Sequence, residues 1–217
     1  MAFKAIIFDL DGTLLDTLED LGNSVNRVLA GHGFPVHRID AYRYFVGDGF
    51  AKLIMRALPE NERSQELVDI CLDEFKDDYG RNWNRQTGLY DGISAMLDTL
   101  TGRGLKMAVL SNKKHEFTLK CVKTLLPHWK FEAVFGQREH LPPKPDPAGA
   151  LEIAQMLKLS PSDFLYMGDS AVDIKTAQAA GMHPVGVTWG FRPAEELIKN
   201  GCRSLINRPQ DVITLLS

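Results

Sequence analysis

The sequence predicts an α/β protein: a parallel sheet with helices on both faces, interrupted near its start by an inserted α-helical cap domain. Two observations carry that expectation. From about Leu89 onward, short apolar runs alternate with helical patterns, the order of a parallel sheet whose crossover connections are helices. Between Thr17 and about Gln86 the strand signal vanishes while helical periodicity persists, so the first strand stands apart from the rest of its sheet. The 217 residues are 44% apolar and 24% charged, ordinary values for a globular chain. At roughly 150 residues per domain, that length suits one domain carrying an insert.

Taken in order, Ala5-Ile6-Ile7-Phe8 is a continuous apolar run stopped by Asp9, the pattern of a strand buried on both sides. In the insert, Leu18, Leu21, Val25 and Val28 share one helical face. Phe50, Leu53, Ile54, Ala57 and Leu58 form a second stripe, and Leu67, Ile70, Cys71 and Phe75 a third. Such stripes suit the core of a small bundle. The insert, roughly 70 residues, is long for a connecting loop, and its place directly after the first strand is that of a cap over the strand ends. Ile93, Met96, Leu97 and Leu100 then repeat at helical spacing until Gly102 and Gly104 end the helix. Strands are expected at 107–110, 133–135, 164–167 and 184–187. Helices are expected at about 115–126, 148–157, 171–180 and 194–200. The expected division is a Rossmann-like α/β core catalytic domain at 1–16 and 87–217, and a helical cap domain at 17–86.

Charge and cysteine usage narrow the function classes. With 25 basic and 28 acidic residues, the net charge is −3. That leaves no basic face for nucleic acid and no polybasic stretch for anionic membranes. The longest unbroken apolar run is four residues, far below the roughly 20 that a bilayer crossing needs. The amino terminus has neither the apolar core nor the small-residue cleavage site of an export signal. Cys71, Cys121 and Cys202 lie far apart, a spacing that fits reduced, buried thiols in a cytoplasm better than disulfides or a zinc site. The expectation is a soluble, cytoplasmic, slightly acidic protein.

The chemistry concentrates where strands end, which is where ligands bind in an open parallel sheet. The first strand runs into Asp9-Leu10-Asp11-Gly12-Thr13-Leu14. Two carboxylates at i and i+2 on an extended segment point to the same side, and they repel unless a cation sits between them. The bland alternative is a strand end followed by an Asp-Gly turn. The second strand is followed by Ser111-Asn112-Lys113, whose hydroxyl and following amide groups suit a phosphoryl oxygen. Ser111 would equally suit a helix N-cap. Pro143-Lys144-Pro145 fixes a lysine between two prolines, and Gly168-Asp169-Ser170-Ala171-Val172-Asp173 places two acids four residues apart. N-capping or helix-dipole pairing could account for either acid. Four acids, a hydroxyl and a lysine, with no His or Cys, select Mg²⁺ over zinc. An aspartate nucleophile beside Mg²⁺ and lysine suits phosphoryl transfer through an aspartyl-phosphate.

On these motifs, over nearly the whole chain, the sequence resembles the haloacid dehalogenase-like superfamily, specifically its phosphatases with a helical cap inserted after the first motif. Within that family it is most similar to the phosphoglycolate phosphatases. The resemblance implies Asp9 as nucleophile and metal ligand. It implies Asp11 as general acid/base, with its backbone carbonyl on the metal. Ser111 and Lys144 would bind the transferring phosphoryl group, Lys144 also orienting Asp9, and Gly12, Thr13 and Asn112 would help to hold the substrate. Asp169 would ligate Mg²⁺ directly, and Asp173 directly or through water. The family's strand order puts the first strand in the middle of the sheet.

Asp11 points away from dehalogenation, because true haloacid dehalogenases have no leaving alcohol to protonate there. In the insert, Gly47-Asp48-Gly49 resembles the glycine-flanked substrate loop of phosphoglycolate phosphatases, and it also suits a helix N-cap turn before Phe50. Leu89-Tyr90-Asp91-Gly92, Ala179-Ala180-Gly181-Met182 and Thr188-Trp189-Gly190 resemble the same subgroup, with Tyr90-Asp91 standing where Tyr-Pro is usual. Arg81 and Arg85, near the return from the insert, suit a solvated linker or a substrate carboxylate. The expected function is Mg²⁺-dependent hydrolysis of a small phosphorylated metabolite, 2-phosphoglycolate before others, by a monomer or homodimer. The rivals are a pyrophosphatase or sugar-phosphate phosphatase, a β-phosphoglucomutase-like phosphomutase, and a non-catalytic binding protein.

Overall fold

The computed structural model describes residues 3–216. The chain begins with β1 (Ala5–Phe8) and β2 (Leu15–Asp16), followed by helices α1 (Leu18–Gly31), α2 (Phe50–Ala57) and α3 (Gln65–Asn82). After β3 (Gly88–Leu89) come α4 (Ile93–Gly102), β4 (Lys106–Lys114), α5 (His115–Leu125), β5 (Ala133–Gln137) and α6 (Ala148–Leu157). The remaining elements are β6 (Phe164–Gly168), α7 (Ala171–Ala179), β7 (His183–Val187), α8 (Ala194–Lys199) and β8 (Ser204–Ile206). Two compact units result: Met1–Leu15 with Leu89–Ser217, and Asp16–Gly88.

The first unit is a six-stranded sheet in the order β5-β4-β1-β6-β7-β8, parallel throughout. The first strand is therefore central, as the family resemblance implied. Successive residues of a strand face opposite sides, and all four residues of β1 are buried, so both faces are covered. On one face Ala5 and Ile7 join Ala108, Leu110, Phe164 and Tyr166 against Ile153 and Ala154 of α6 and Ala177 of α7. On the other, Ile6 and Phe8 are fully buried beside Met107, Val109, Leu165 and Met167. Parallel sheets need this double cover, which is why their strands read as unbroken apolar runs.

The sequence pattern omits β8, a sixth strand at the sheet edge in which Leu205 is exposed. It also omits the 3-10 segment Pro209–Leu216. Of the cysteines, Cys71 and Cys121 are buried. Cys202 corrects the expectation of three simple buried hydrophobes: it is half-buried, its thiol donates to the Ser204 carbonyl (2.9 Å) and its sulfur accepts from the Gly186 amide (3.1 Å).

The second unit is helical, apart from the short strand residues at its two ends. Leu18, Leu21, Val25 and Val28 of α1 are buried as the periodicity requires, and so are Phe50, Leu53, Ile54 and Ala57 of α2. The third stripe is rotated from the expected one. Val68, Cys71, Phe75 and Tyr79 face inward, whereas Ile70 is 45% exposed. An aromatic cluster explains the rotation: Phe75 packs edge-on against Phe50 and stacks on Tyr79, and two rings bury more surface than Leu67 and Ile70 would. Asp20, buried on α1, accepts from the amides of Gln86 (2.9 Å) and Thr87 (2.8 Å) and from the Thr87 hydroxyl (2.8 Å). That single carboxylate ties the end of the unit back to its beginning. Among the described residues, no helix is long and apolar enough to cross a membrane.

Candidate active site

The carboxyl ends of β1, β4 and β6 gather most of the residues that the sequence singled out. Asp9 leaves β1 buried, and its Oδ1 accepts from the Leu10 amide (2.7 Å) and pairs with Lys144 Nζ (2.9 Å). Its Oδ2 accepts no hydrogen bond among the described residues, so the carboxylate is held by one oxygen and presents the other. Lys144 is buried and also donates to Asp173 Oδ1 at 2.6 Å. The loop carrying it is clamped by Asn112, whose amide nitrogen donates to the Lys144 carbonyl (3.0 Å) and whose oxygen accepts from the Lys144 amide (2.8 Å). Asn112, expected at the substrate, thus also places the lysine.

Asp169 directly follows β6, and its Oδ2 accepts from the Phe191 amide at 2.7 Å. The approach is close on all sides: a Cβ on Gly12 or on Gly190 would collide with this carboxylate, and Gly12 holds a φ of +85° that other residues rarely adopt. Asp173 has two roles. It closes a capping box on α7, accepting from the Ser170 amide and hydroxyl, and its other oxygen faces Lys144. Ser111 is buried within β4 and does not cap α5, whose N-cap position is Lys114; its hydroxyl accepts from the Lys113 amide at 3.2 Å. Thr13 is fully buried, and its hydroxyl has no hydrogen-bond partner among the described residues. Asp11 pairs with Lys113 Nζ at 3.0 Å. Nothing in the sequence pattern signalled Lys113, because burial of a lysine is decided by what the fold brings opposite it.

Asp9, Asp169 and Asp173 each offer an oxygen, and these atoms all lie within 4.8 Å of one another. Three carboxylates against one ammonium leave a net charge of minus two if all are ionised. The electrostatics register that imbalance. Burial pushes the Asp9 carboxyl up to about 7, with Lys144 pulling the other way and Asp173 adding to the rise. Burial likewise raises Asp169 well above the carboxylate range, reinforced by Asp173 and Asp9. Burial alone would weaken the Lys144 ammonium, but Asp173 and Asp9 overcome it and hold its pKa well above the usual value. An all-oxygen, buried cluster of three carboxyl groups fits a hard divalent cation such as Mg²⁺.

In the helical unit, Gly47 and Gly49 take φ values of +123° and +90°, and Gly49 occupies the N-cap position of α2. The Asp48 carboxylate is engaged by Arg56, which also donates to the Phe45 carbonyl (3.0 Å). The turn is thereby stapled to its own helix, with its side-chain charge neutralised within the unit.

A central parallel strand ending in a buried aspartate, flanked by a lysine and two further aspartates from neighbouring loops, defines an α/β enzyme with an acidic centre. Residues 6–187 match the model of the haloacid dehalogenase-like hydrolases, and the chain belongs to that family. A phosphoglycolate phosphatase of Psychrobacter arcticus is 32% identical, over 89% of this chain and 87% of that one. One of Pseudomonas putida is 34% identical, over 87% of this chain and 70% of the relative. A crystal structure from Lactobacillus delbrueckii subsp. bulgaricus, provisionally named a phosphoglycolate phosphatase, superimposes with a TM-score of 0.93 at 28% identity. It covers 100% of this chain and 99% of its own.

Proposed function

We propose that this chain is a Mg²⁺-dependent phosphatase that hydrolyses a small phosphomonoester, 2-phosphoglycolate before others, through an aspartyl-phosphate on Asp9. The observation that carries the reading is the one-sided fixation of Asp9. Its Oδ1 is tied to Leu10 and Lys144, which leaves Oδ2 to attack phosphorus. The relatives named as phosphoglycolate phosphatases support the substrate class.

In the first step Asp9 Oδ2 forms a bond to phosphorus while the ester P–O bond breaks, and Asp11 gives its proton to the departing oxygen. In the second, Asp11 takes a proton from water, the water oxygen bonds to phosphorus, and the bond to Asp9 breaks, restoring the carboxylate and releasing phosphate. Lys144 keeps Asp9 aimed and offsets charge on the transferring group, and the Ser111 hydroxyl with the neighbouring amides receives phosphoryl oxygens. Asp9, Asp169 and Asp173, with the Asp11 carbonyl, would hold Mg²⁺, which when bound supplies the charge that lets two anions meet. The helical domain, residues 17–86, is assigned to substrate selection, with Gly47, Asp48 and Gly49 as its contact loop. Gly12 and Thr13, which turn the chain after Asp11, complete the phosphate side.

The test is phosphate release from a panel of small phosphomonoesters and pyrophosphate, with Mg²⁺ and with EDTA. The reading expects Mg²⁺-dependent release with the highest kcat/KM on 2-phosphoglycolate. Release unaffected by EDTA would refute the metal role, and higher kcat/KM on glucose phosphates or pyrophosphate would refute the substrate.

A further inference from the structure

Lys113 is the most deeply placed cation in the core unit with no role so far. Its side chain is fully buried, and a buried ammonium left unpaired costs several kcal/mol. Its Nζ donates to both oxygens of Asp11, at 3.0 Å and 3.2 Å, across 102 positions of sequence. Its backbone is pinned as well: the Thr118 hydroxyl on α5 donates to the carbonyls of Lys113 (3.2 Å) and Lys114 (3.1 Å). Strand β4 pairs with β1 up to Phe8 and Val109 and then continues to Lys114. That extension carries Lys113 alongside the loop after Asp9. The two neighbouring carboxylates thus receive one lysine each, Lys144 on Asp9 and Lys113 on Asp11.

We propose that Lys113 is a positioning residue: it holds the Asp11 carboxyl group apart from Asp9, in the orientation from which Asp11 exchanges protons with the leaving oxygen and with water. The inference rests on Asp11 being the general acid/base and adds to it the residue that aims it. An unaimed Asp11 still leaves Asp9 able to expel a group that needs no proton, whereas an alkoxide leaving group depends on it.

The experiment is a double-mutant cycle of Lys113→Met and Asp11→Asn in the full chain with Mg²⁺, with Lys113→Arg alongside. It uses 2-phosphoglycolate, an alkyl ester, and p-nitrophenyl phosphate, whose anion leaves without protonation. Lys113→Met is expected to lower kcat on 2-phosphoglycolate on the order of 10²-fold at nearly constant KM, while the first-turnover burst of nitrophenolate survives. Lys113→Arg should recover part of the loss. Added to Asp11→Asn, which already removes the group that Lys113 aims, Lys113→Met should change neither the burst nor the residual rate. Loss of the nitrophenolate burst along with turnover, a further loss in the double variant, or wild-type kcat in Lys113→Met would overturn the proposal. If Lys113→Met does not fold, Lys113→Gln takes its place as the single-variant corner of the cycle. Failure of the parent reading looks different: Asp11→Asn itself would then hydrolyse 2-phosphoglycolate at the wild-type rate.

Discussion

Removing Mg²⁺ at neutral pH should leave Asp9, Asp169 and Asp173 sharing a single lysine, and that imbalance sets a measurable pH dependence. The Asp9 carboxyl rises from 3.8 to about 7, chiefly through burial. Between those values the folded state keeps a proton that the unfolded state has released, so stability falls as pH climbs through the window and levels off above it. At about 1.4 kcal/mol per tenfold, the full shift costs on the order of 4 kcal/mol, and roughly 3 kcal/mol of it falls above pH 5. For a chain of this size that is a drop of roughly 6–12 °C in Tm. Asp169 shifts in the same direction. The assay is thermal unfolding in EDTA at pH 5 and pH 8, for the wild type and for Asp9→Asn, which cannot ionise at that position. The wild type should lose stability relative to Asp9→Asn on going to pH 8, and Mg²⁺ should stabilise the wild type far more at pH 8 than at pH 5. A metal-free wild type that gains on Asp9→Asn as pH rises would refute the electrostatic account, and so would a Mg²⁺ effect equal at both pH values.

Asp9→Asn should lower kcat by at least ~10³-fold while the fold survives, measured as phosphate release beside circular dichroism. Asn112→Ala removes two buried hydrogen bonds from the Lys144 backbone. It should cost about 2–3 kcal/mol in urea unfolding and lower kcat more than it raises KM. Asp20→Ala strips the clamp on Gln86 and Thr87, so amides of the helical unit should exchange hydrogen faster while those of the sheet are unchanged. Gly49→Ala, at a φ of +90°, should raise KM for 2-phosphoglycolate more than for p-nitrophenyl phosphate; equal changes would make the turn structural only.

The elements legible in the sequence are those whose burial is two-sided or strictly periodic. β1, β4 and β6 are apolar runs because helices cover both faces, and α1 and α2 show their stripes because each meets one core. β8 was hidden because an edge strand of three residues with an exposed Leu205 has no periodic signature. The buried stripe of α3 is rotated by a fraction of a turn from the Leu67-Ile70-Cys71-Phe75 pattern because Tyr79, a polar-tipped ring that periodicity does not mark as core, is buried. At the site, Asp9 and Asp169 stand out in the sequence because each interrupts an apolar run, and the fold brings them together with Lys144 and Asp173. Asn112, Lys113 and the Phe191 amide act on partners tens of residues away, a pairing that only the sheet order creates. Asp20 was unreadable for the same reason: an acid on an amphipathic helix looks solvated until the returning chain donates to it.

The most direct test of the central claim is whether Asp9 carries the phosphoryl group during turnover. Wild type and Asp11→Asn would be mixed with p-nitrophenyl phosphate and Mg²⁺, quenched in acid within the first turnover, digested, and analysed by mass spectrometry. The account predicts one added phosphoryl group on the peptide containing Asp9, localised to that residue, cleared quickly in the wild type and slowly in Asp11→Asn. Full turnover with Asp9 unmodified, or with the phosphoryl group on another side chain, would contradict it.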